Sequence, residues 1–184
     1  GVSQLYSGIT ANKGTLNIMQ MPYSGFSMTS SANDYITDSA AGGTALASGQ
    51  KTNNGAIGVD AQGKPVVSIL EIADQHGLHT GLVATSAITQ ATPASFIAHV
   101  ASRSSYEDIA MDFTKTNIDV FMGGGRKHFE QREDGRNLTN ELTAKGFKVA
   151  YNMNDAMRMT TTPVAVLAAD EHIGTFTSRG DMLS

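Results

Sequence analysis

The sequence predicts an α/β fold in three layers, with a mostly parallel central sheet flanked by helices. Two observations point there. Helix-like segments with apolar residues at three- and four-residue spacing alternate with short, β-branched apolar runs, as in successive helix–strand units. The chain has 184 residues, 40% of them apolar, enough to bury roughly 70% of its unfolded surface as a single domain.

The units follow in order. Residues 64–75 (KPVVSILEIADQ) space Val67, Leu70 and Ile72 as an amphipathic helix, and His76 and Gly77 supply the stop. Residues 80–85 (TGLVAT) are short, apolar and β-branched, which predicts a buried strand. A second unit pairs a helix at residues 104–115 (SSYEDIAMDFTK) with a strand at residues 119–122 (DVFM), which runs into Gly123, Gly124 and Gly125. A third places a helix at residues 137–145 and a strand at residues 147–150. The stretch before Tyr35, rich in Ser, Gly and Met, carries neither period. No repeat, low-complexity linker or domain boundary is evident, so residues 1–184 read as one domain.

Composition narrows the function classes. The net charge is -4, from 13 basic and 17 acidic residues with no basic run, which leaves no electrostatic footprint for nucleic acid. No stretch approaches the ~18 apolar residues of a membrane span. The opening GVSQLYSGIT has neither the basic nor the apolar region of a secretory signal. Without cysteine there is no disulfide framework and no thiolate metal site, which fits either redox compartment.

The chemistry concentrates in residues 33–60 (NDYITDSAAGGTALASGQKTNNGAIGVD). Asp38 and Ser39 are good helix N-cap residues. The helix they open is built from Ala40, Ala41, Gly42, Gly43, Ala45, Ala47 and Gly49, with almost no side-chain bulk. Each interior glycine costs about 1 kcal/mol relative to alanine, so the pattern implies close backbone packing or close approach of a ligand. A serine at a helix start sits beside unpaired N–H groups and the positive end of the dipole, which favours an anion or a developing alkoxide. The competing reading is an ordinary capped helix packed tightly on a sheet.

The run T-D-S-A-A-G-G-T-A, followed by S-G-Q-K-T-N-N-G-A-I-G-V-D, resembles the active-site signature of the alkaline phosphatase family. The resemblance implies that Ser39 is a nucleophile forming a phosphoserine at a zinc ion, and that Asp38 steadies a phosphate-binding arginine. A second block, residues 84–106 (ATSAITQATPASFIAHVASRSSY), is similar to the family's T-P-A, A-H-V and S-R segments and implies that Arg103 grips phosphate. A guanidinium suits that task, because its planar fork can hold two phosphate oxygens. His99, between Ala98 and Val100, reads as structural. The same block implies a magnesium site at Thr92 and at Gln90, where the family has Asp or His; an amide oxygen there lacks the charge an aspartate would bring.

A third block, residues 118–129 (IDVFMGGGRKHF), resembles the family's D-V-x-x-G-G-G-R stretch. Its glycines lack Walker spacing and read as a structural turn. Residues 167–184 continue the likeness. The resemblance implies a partial alkaline-phosphatase-like domain beginning at the last glycine of the family's D-G-x-G motif. The family's remaining zinc ligands have no counterpart among His76, His79, His99, His128 and His172. For the complete protein it implies a phosphomonoesterase with two zinc ions and one magnesium, acting on phosphate monoesters and releasing inorganic phosphate. It also implies a homodimer and a periplasmic or secreted location. The isolated 184-residue chain is expected to be inactive, and the alternative function is a phosphate-binding fragment without turnover.

Overall fold

The computed structural model describes residues 2–175 and 178. Its elements, in order, are α1 (Val2–Ala11), a 3-10 turn (Asn17–Gln20), α2 (Ser39–Ser48), α3 (Ile69–Gln75), β1 (Gly81–Ala87), α4 (Ala91–Ala94), α5 (Tyr106–Lys115), β2 (Val120–Gly124), α6 (Lys127–Glu130), α7 (Leu138–Ala144), β3 (Lys148–Ala150), α8 (Met153–Ala156) and β4 (Val164–Leu167). The strands form one parallel sheet in the order β1-β2-β4-β3, flanked by helices. The ends of the sequence-level likeness at Gly1, residues 176–177 and residues 179–184 lie outside the described residues.

Strand alternation sorts the side chains into two layers. Phe121, Ala165 and Leu167 point to the larger core, where they meet Ile109, Ala110 and Phe113 of α5, Phe129 of α6, and Leu138 and Leu142 of α7. Phe121 stacks among Phe113, Phe129 and Phe147 at centroid distances of 4.8, 6.0 and 5.8 Å. Val120, Met122, Val164 and Val166 point the other way, toward Ala156 of α8 and Met159.

Several expected boundaries shift for identifiable reasons. The helix expected over residues 64–75 begins only at Ile69, because Ser68 and Glu71 form a reciprocal capping box that sets its start. Before it, Pro65 bridges Val59 in an antiparallel contact. Val67, Ile69 and Ile72 stay exposed, and only Leu70 of α3 is buried. β1 is less covered than expected: among the described residues it pairs only with β2, its side chains alternate, and Val83 is 67% exposed. No period in the sequence marks β4, yet all four of its residues are buried between β2 and β3. Such a strand, covered on both faces, shows no alternation to read.

The triple glycine expected as a turn is one only at Gly125, at φ +91, and its first two members have a packing cause. Gly123 and Gly124 continue the strand, and a Cβ on Gly124 would lie 1.8 Å from the Glu171 carbonyl oxygen. Residues 169–171 cross the strand end there, with Gly125 N donating to Glu171 O at 2.7 Å and Arg126 N to Ala169 O at 3.0 Å.

His128 is held on the buried side of the same turn. Its Nδ1 lies 2.7 Å from the Thr89 hydroxyl, and Tyr106 stacks on the ring at 4.7 Å. Burial, aided by the nearby Lys127 charge, holds its pKa below the ordinary 6.5. The folded chain therefore takes this proton less readily than the unfolded one. That contribution to stability is complete above the unfolded pKa and declines as pH falls below it.

Two outcomes follow for chemical denaturation. Phe121→Ala is expected to lower the unfolding free energy by about 3–5 kcal/mol. Between about pH 7.5 and about pH 5.5, the unaltered protein is expected to lose more stability than a His128→Gln variant does.

Candidate active site

The start of α2 departs from the expectation in one detail. Asp38 alone is the N-cap, and its Oδ1 accepts from Ala41 N at 2.9 Å. Ser39 is the first helical residue and is exposed. Among the described residues its hydroxyl makes no hydrogen bond, which leaves the oxygen facing solvent.

The small residues of α2 serve close packing at one position. A Cβ on Gly43 would stand 2.5 Å from Ser95 Oγ, so the glycine lets α2 lie against the turn that follows α4. Ser95 Oγ donates to Ala91 O at 2.7 Å and faces Ala40 O at 3.4 Å. Gly42 is different, since a Cβ there would meet only Thr37 at 3.7 Å.

Asp38 collects donors from three segments. Besides Ala41 N, its Oδ2 accepts from Gly55 N at 3.0 Å and from Arg103 Nη1 at 3.1 Å. Gly55 O in turn accepts from Arg103 N at 2.7 Å. Asp38 N donates to Asn54 Oδ1 at 3.0 Å, and Asn54 Nδ2 donates to Ile36 O at 2.8 Å. Residues 54–55 therefore act as a splint between the helix start and the arginine. Arg103 is 33% exposed and Asp38 27%. Among the described residues only Nη1 of the fork is engaged, so Nε and Nη2 remain for a ligand.

Burial pushes the Asp38 pKa up, but the bonds from Ala41 N, Arg103 and Gly55 N, with the Arg103 charge, outweigh it and bring it below 3.8. The carboxylate thus stays ionised and keeps its partner oriented.

Thr92 and Gln90 lie just beyond the carboxyl end of β1, where parallel sheets place their ligands. Thr92 is helical despite the proline that follows it. It lies within the α4 turn with Pro93 behind it, since Pro93 falls in a first turn whose N–H groups need no helical partner. Its side chain is exposed. Gln90 is the residue before that turn, and its Nε2 donates to the Tyr106 hydroxyl at 3.3 Å. Among the described residues no group of three or more His, Asp or Glu side chains is placed to hold a metal ion.

The structure thus brings together Asp38, Arg103 and the start of α2, with Thr92 and Gln90 on the packed neighbour. Sequence reasoning does not single out Gly55, Asn54 or Tyr106. The first two fall in the S-G-Q-K-T-N-N-G-A-I-G-V-D run and Tyr106 closes the block of residues 84–106, and those two stretches of resemblance are the available signal.

With this arrangement established, comparison with known proteins is decisive. The family model described as alkaline phosphatase matches residues 3–179. The chain belongs to the alkaline phosphatase family. Alkaline phosphatase 4 of Bacillus subtilis (strain 168) is 47% identical over 149 residues, which cover 77% of this chain and 32% of that relative. The repressible alkaline phosphatase of Saccharomyces cerevisiae is 42% identical over 142 residues, covering 67% and 25%. Among solved structures, the alkaline phosphatase of the Antarctic bacterium TAB5 superposes on 100% of this chain and 55% of its own, with a TM-score of 0.92 and 40% identity. The chain spans a quarter to a third of the length of these curated alkaline phosphatases. No helix among the described residues is long and apolar enough to cross a membrane.

For this family member, the lowered Asp38 pKa carries a sign. Its contribution to stability is present above the unfolded value near 3.8 and is lost as pH falls through the lower folded value. Asp38→Asn is expected to reduce stability at neutral pH and to flatten the acid limb of the stability profile, as read by urea unfolding across pH.

Proposed function

We propose that this chain carries the nucleophile and the phosphate grip of a phosphomonoester hydrolase. The carrying observation is the Arg103–Asp38 contact at 3.1 Å, which sets a partly free guanidinium beside the residue next to an exposed Ser39. Family membership supports the reaction class. A phosphate monoester docks with two non-bridging oxygens on the free N–H groups of Arg103, and the first turn of α2 presents its dipole to the same anion. Ser39 Oγ attacks phosphorus and loses its proton to solvent. The ester P–O bond breaks, and the departing alcohol oxygen takes up a proton. Water then attacks the phosphoserine and frees inorganic phosphate and the serine hydroxyl. Asp38 keeps the fork aimed through both steps.

Zinc and magnesium enter this proposal in different ways. When bound, such ions stabilise the attacking and leaving oxygens. The described residues do not by themselves fit zinc, since no His, Asp or Glu cluster is present, and no step above passes through it. Thr92 and Gln90 offer two neutral oxygens, short of the roughly six that magnesium takes. A variant of the TAB5 enzyme holds magnesium in a site designated M3, which supports a magnesium role for the family fold. A homodimer in the periplasm or outside the cell completes the proposal for the protein with its natural termini, and the 184-residue chain alone is taken to be inactive.

Acid quenching with radiolabelled phosphate tests the nucleophile. In the protein with its natural termini, Ser39→Ala is expected to abolish the trapped phosphoserine, whereas label persisting at another residue would refute the assignment. Arg103→Ala is expected to weaken inorganic phosphate binding roughly tenfold or more.

A further inference from the structure

His99 takes no part in the chemistry above, yet both of its ring nitrogens face acceptors. Nδ1 lies 2.6 Å from the Gly58 carbonyl oxygen and Nε2 lies 3.2 Å from Glu71 Oε1. The Gly58 carbonyl can only accept, so that contact is a hydrogen bond donated by Nδ1. Its backbone N–H donates to Asp112 Oδ2 at 3.0 Å. Glu71 spends its other oxygen on Ser68 N, as the cap of α3. The charged groups around the ring are therefore Glu71 from α3, Asp112 from α5, and Lys115, which is paired to Asp112 at 2.8 Å. Asp108 of α5 lines the same cleft as His99.

The partner that matters for the site is Gly58. It sits at φ +60, and a Cβ there would lie 1.9 Å from Ala98 O. The turn carrying it is thus pressed against the backbone beside His99. The same two segments are stitched at Ile57 and Val100 by a pair of backbone bonds of 2.9 Å each. They are stitched again where Arg103 N meets Gly55 O at 2.7 Å. Gly55 N and Arg103 Nη1 are also two of the three donors on the Asp38 carboxylate. His99 thus fastens one end of a short antiparallel seam whose other end aims the guanidinium.

We propose that His99 is a positioning residue for Arg103, acting through the Gly58 carbonyl, an inference that rests on the phosphate-gripping role given to Arg103. The two ring contacts can be separated by substitution. In His99→Asn the amide nitrogen stands where Nδ1 stands and keeps the Gly58 bond; in His99→Gln it stands nearer Nε2 and keeps the Glu71 bond.

The experiment is calorimetric binding of inorganic phosphate by the protein with its natural termini, alongside thermal unfolding of each variant. His99→Gln is expected to bind phosphate roughly threefold to tenfold more weakly, the equivalent of one lost hydrogen bond. His99→Asn and Glu71→Gln are expected to remain within about twofold of the unaltered protein by the same scale. If His99→Gln binds phosphate normally while Arg103→Ala does not, His99 is merely structural and the inference fails alone. It fails in the same way if affinity follows the melting temperature across all three variants instead of the Gly58 bond. If Arg103→Ala itself binds phosphate normally, the role given to Arg103 fails and the inference falls with it.

Discussion

The Asp38 carboxylate accepts from an amide of its own helix, from an amide 17 residues onward and from a guanidinium 65 residues onward. Those three donors come from three separate segments of the chain. Ordering each of them costs conformational entropy, and a partly exposed ion pair by itself offsets little of that cost. The arrangement holds because each donor is already fixed nearby. Ala41 is held by the helix, Gly55 by the Arg103 amide, and α2 by the close approach of Gly43 to Ser95. The carboxylate then closes a framework that is mostly assembled and adds direction to it.

The sheet contributes the footing. α5, α6 and α7 pack on one of its faces through the phenylalanine cluster, and the loop that bears Arg103 leads directly into α5. The turn after β1, which carries Gln90, is tied to the same helix by the Tyr106 hydroxyl. Tyr106 is itself held flat against buried His128. The candidate phosphate grip and the candidate cation position therefore hang from one helix, and a shift of α5 would carry both.

Local physics makes much of this legible from the sequence, though not the part that assembles the site. Helices α5 and α7 and strands β2 and β3 lie where periodicity and caps place them, because each buries one defined face or begins at a capping residue such as Asn137. β4 escapes because a short strand buried on both sides leaves no alternation, and β1 reads as buried because its apolar composition does not show which of its faces is covered. The start of α3 depends on a hydrogen-bonded exchange between Ser68 and Glu71, a stronger signal than apolar spacing. Nothing in spacing joins Asp38 to Arg103, and only the family resemblance sets them side by side. Even that resemblance gives Gly55 and Gly58 no task. Their roles, a donor to a carboxylate and a gap for a carbonyl, exist only once distant segments meet.

The pairing of Asp38 with Arg103 also bears on how strongly such a site attracts its ligand from afar. A lone guanidinium would draw a phosphate dianion by its charge, and would do so less as ionic strength rises. Here the cation is already matched by an adjacent anion that also caps the helix, so the pair approaches neutrality when viewed from a distance. What it offers an anion at close range is direction, in the form of N–H groups aimed by their remaining bonds. A site built this way trades capture range for geometry. Under the phosphate-gripping role proposed for Arg103, a tetrahedral dianion would meet no large electrostatic barrier from this pair on departure.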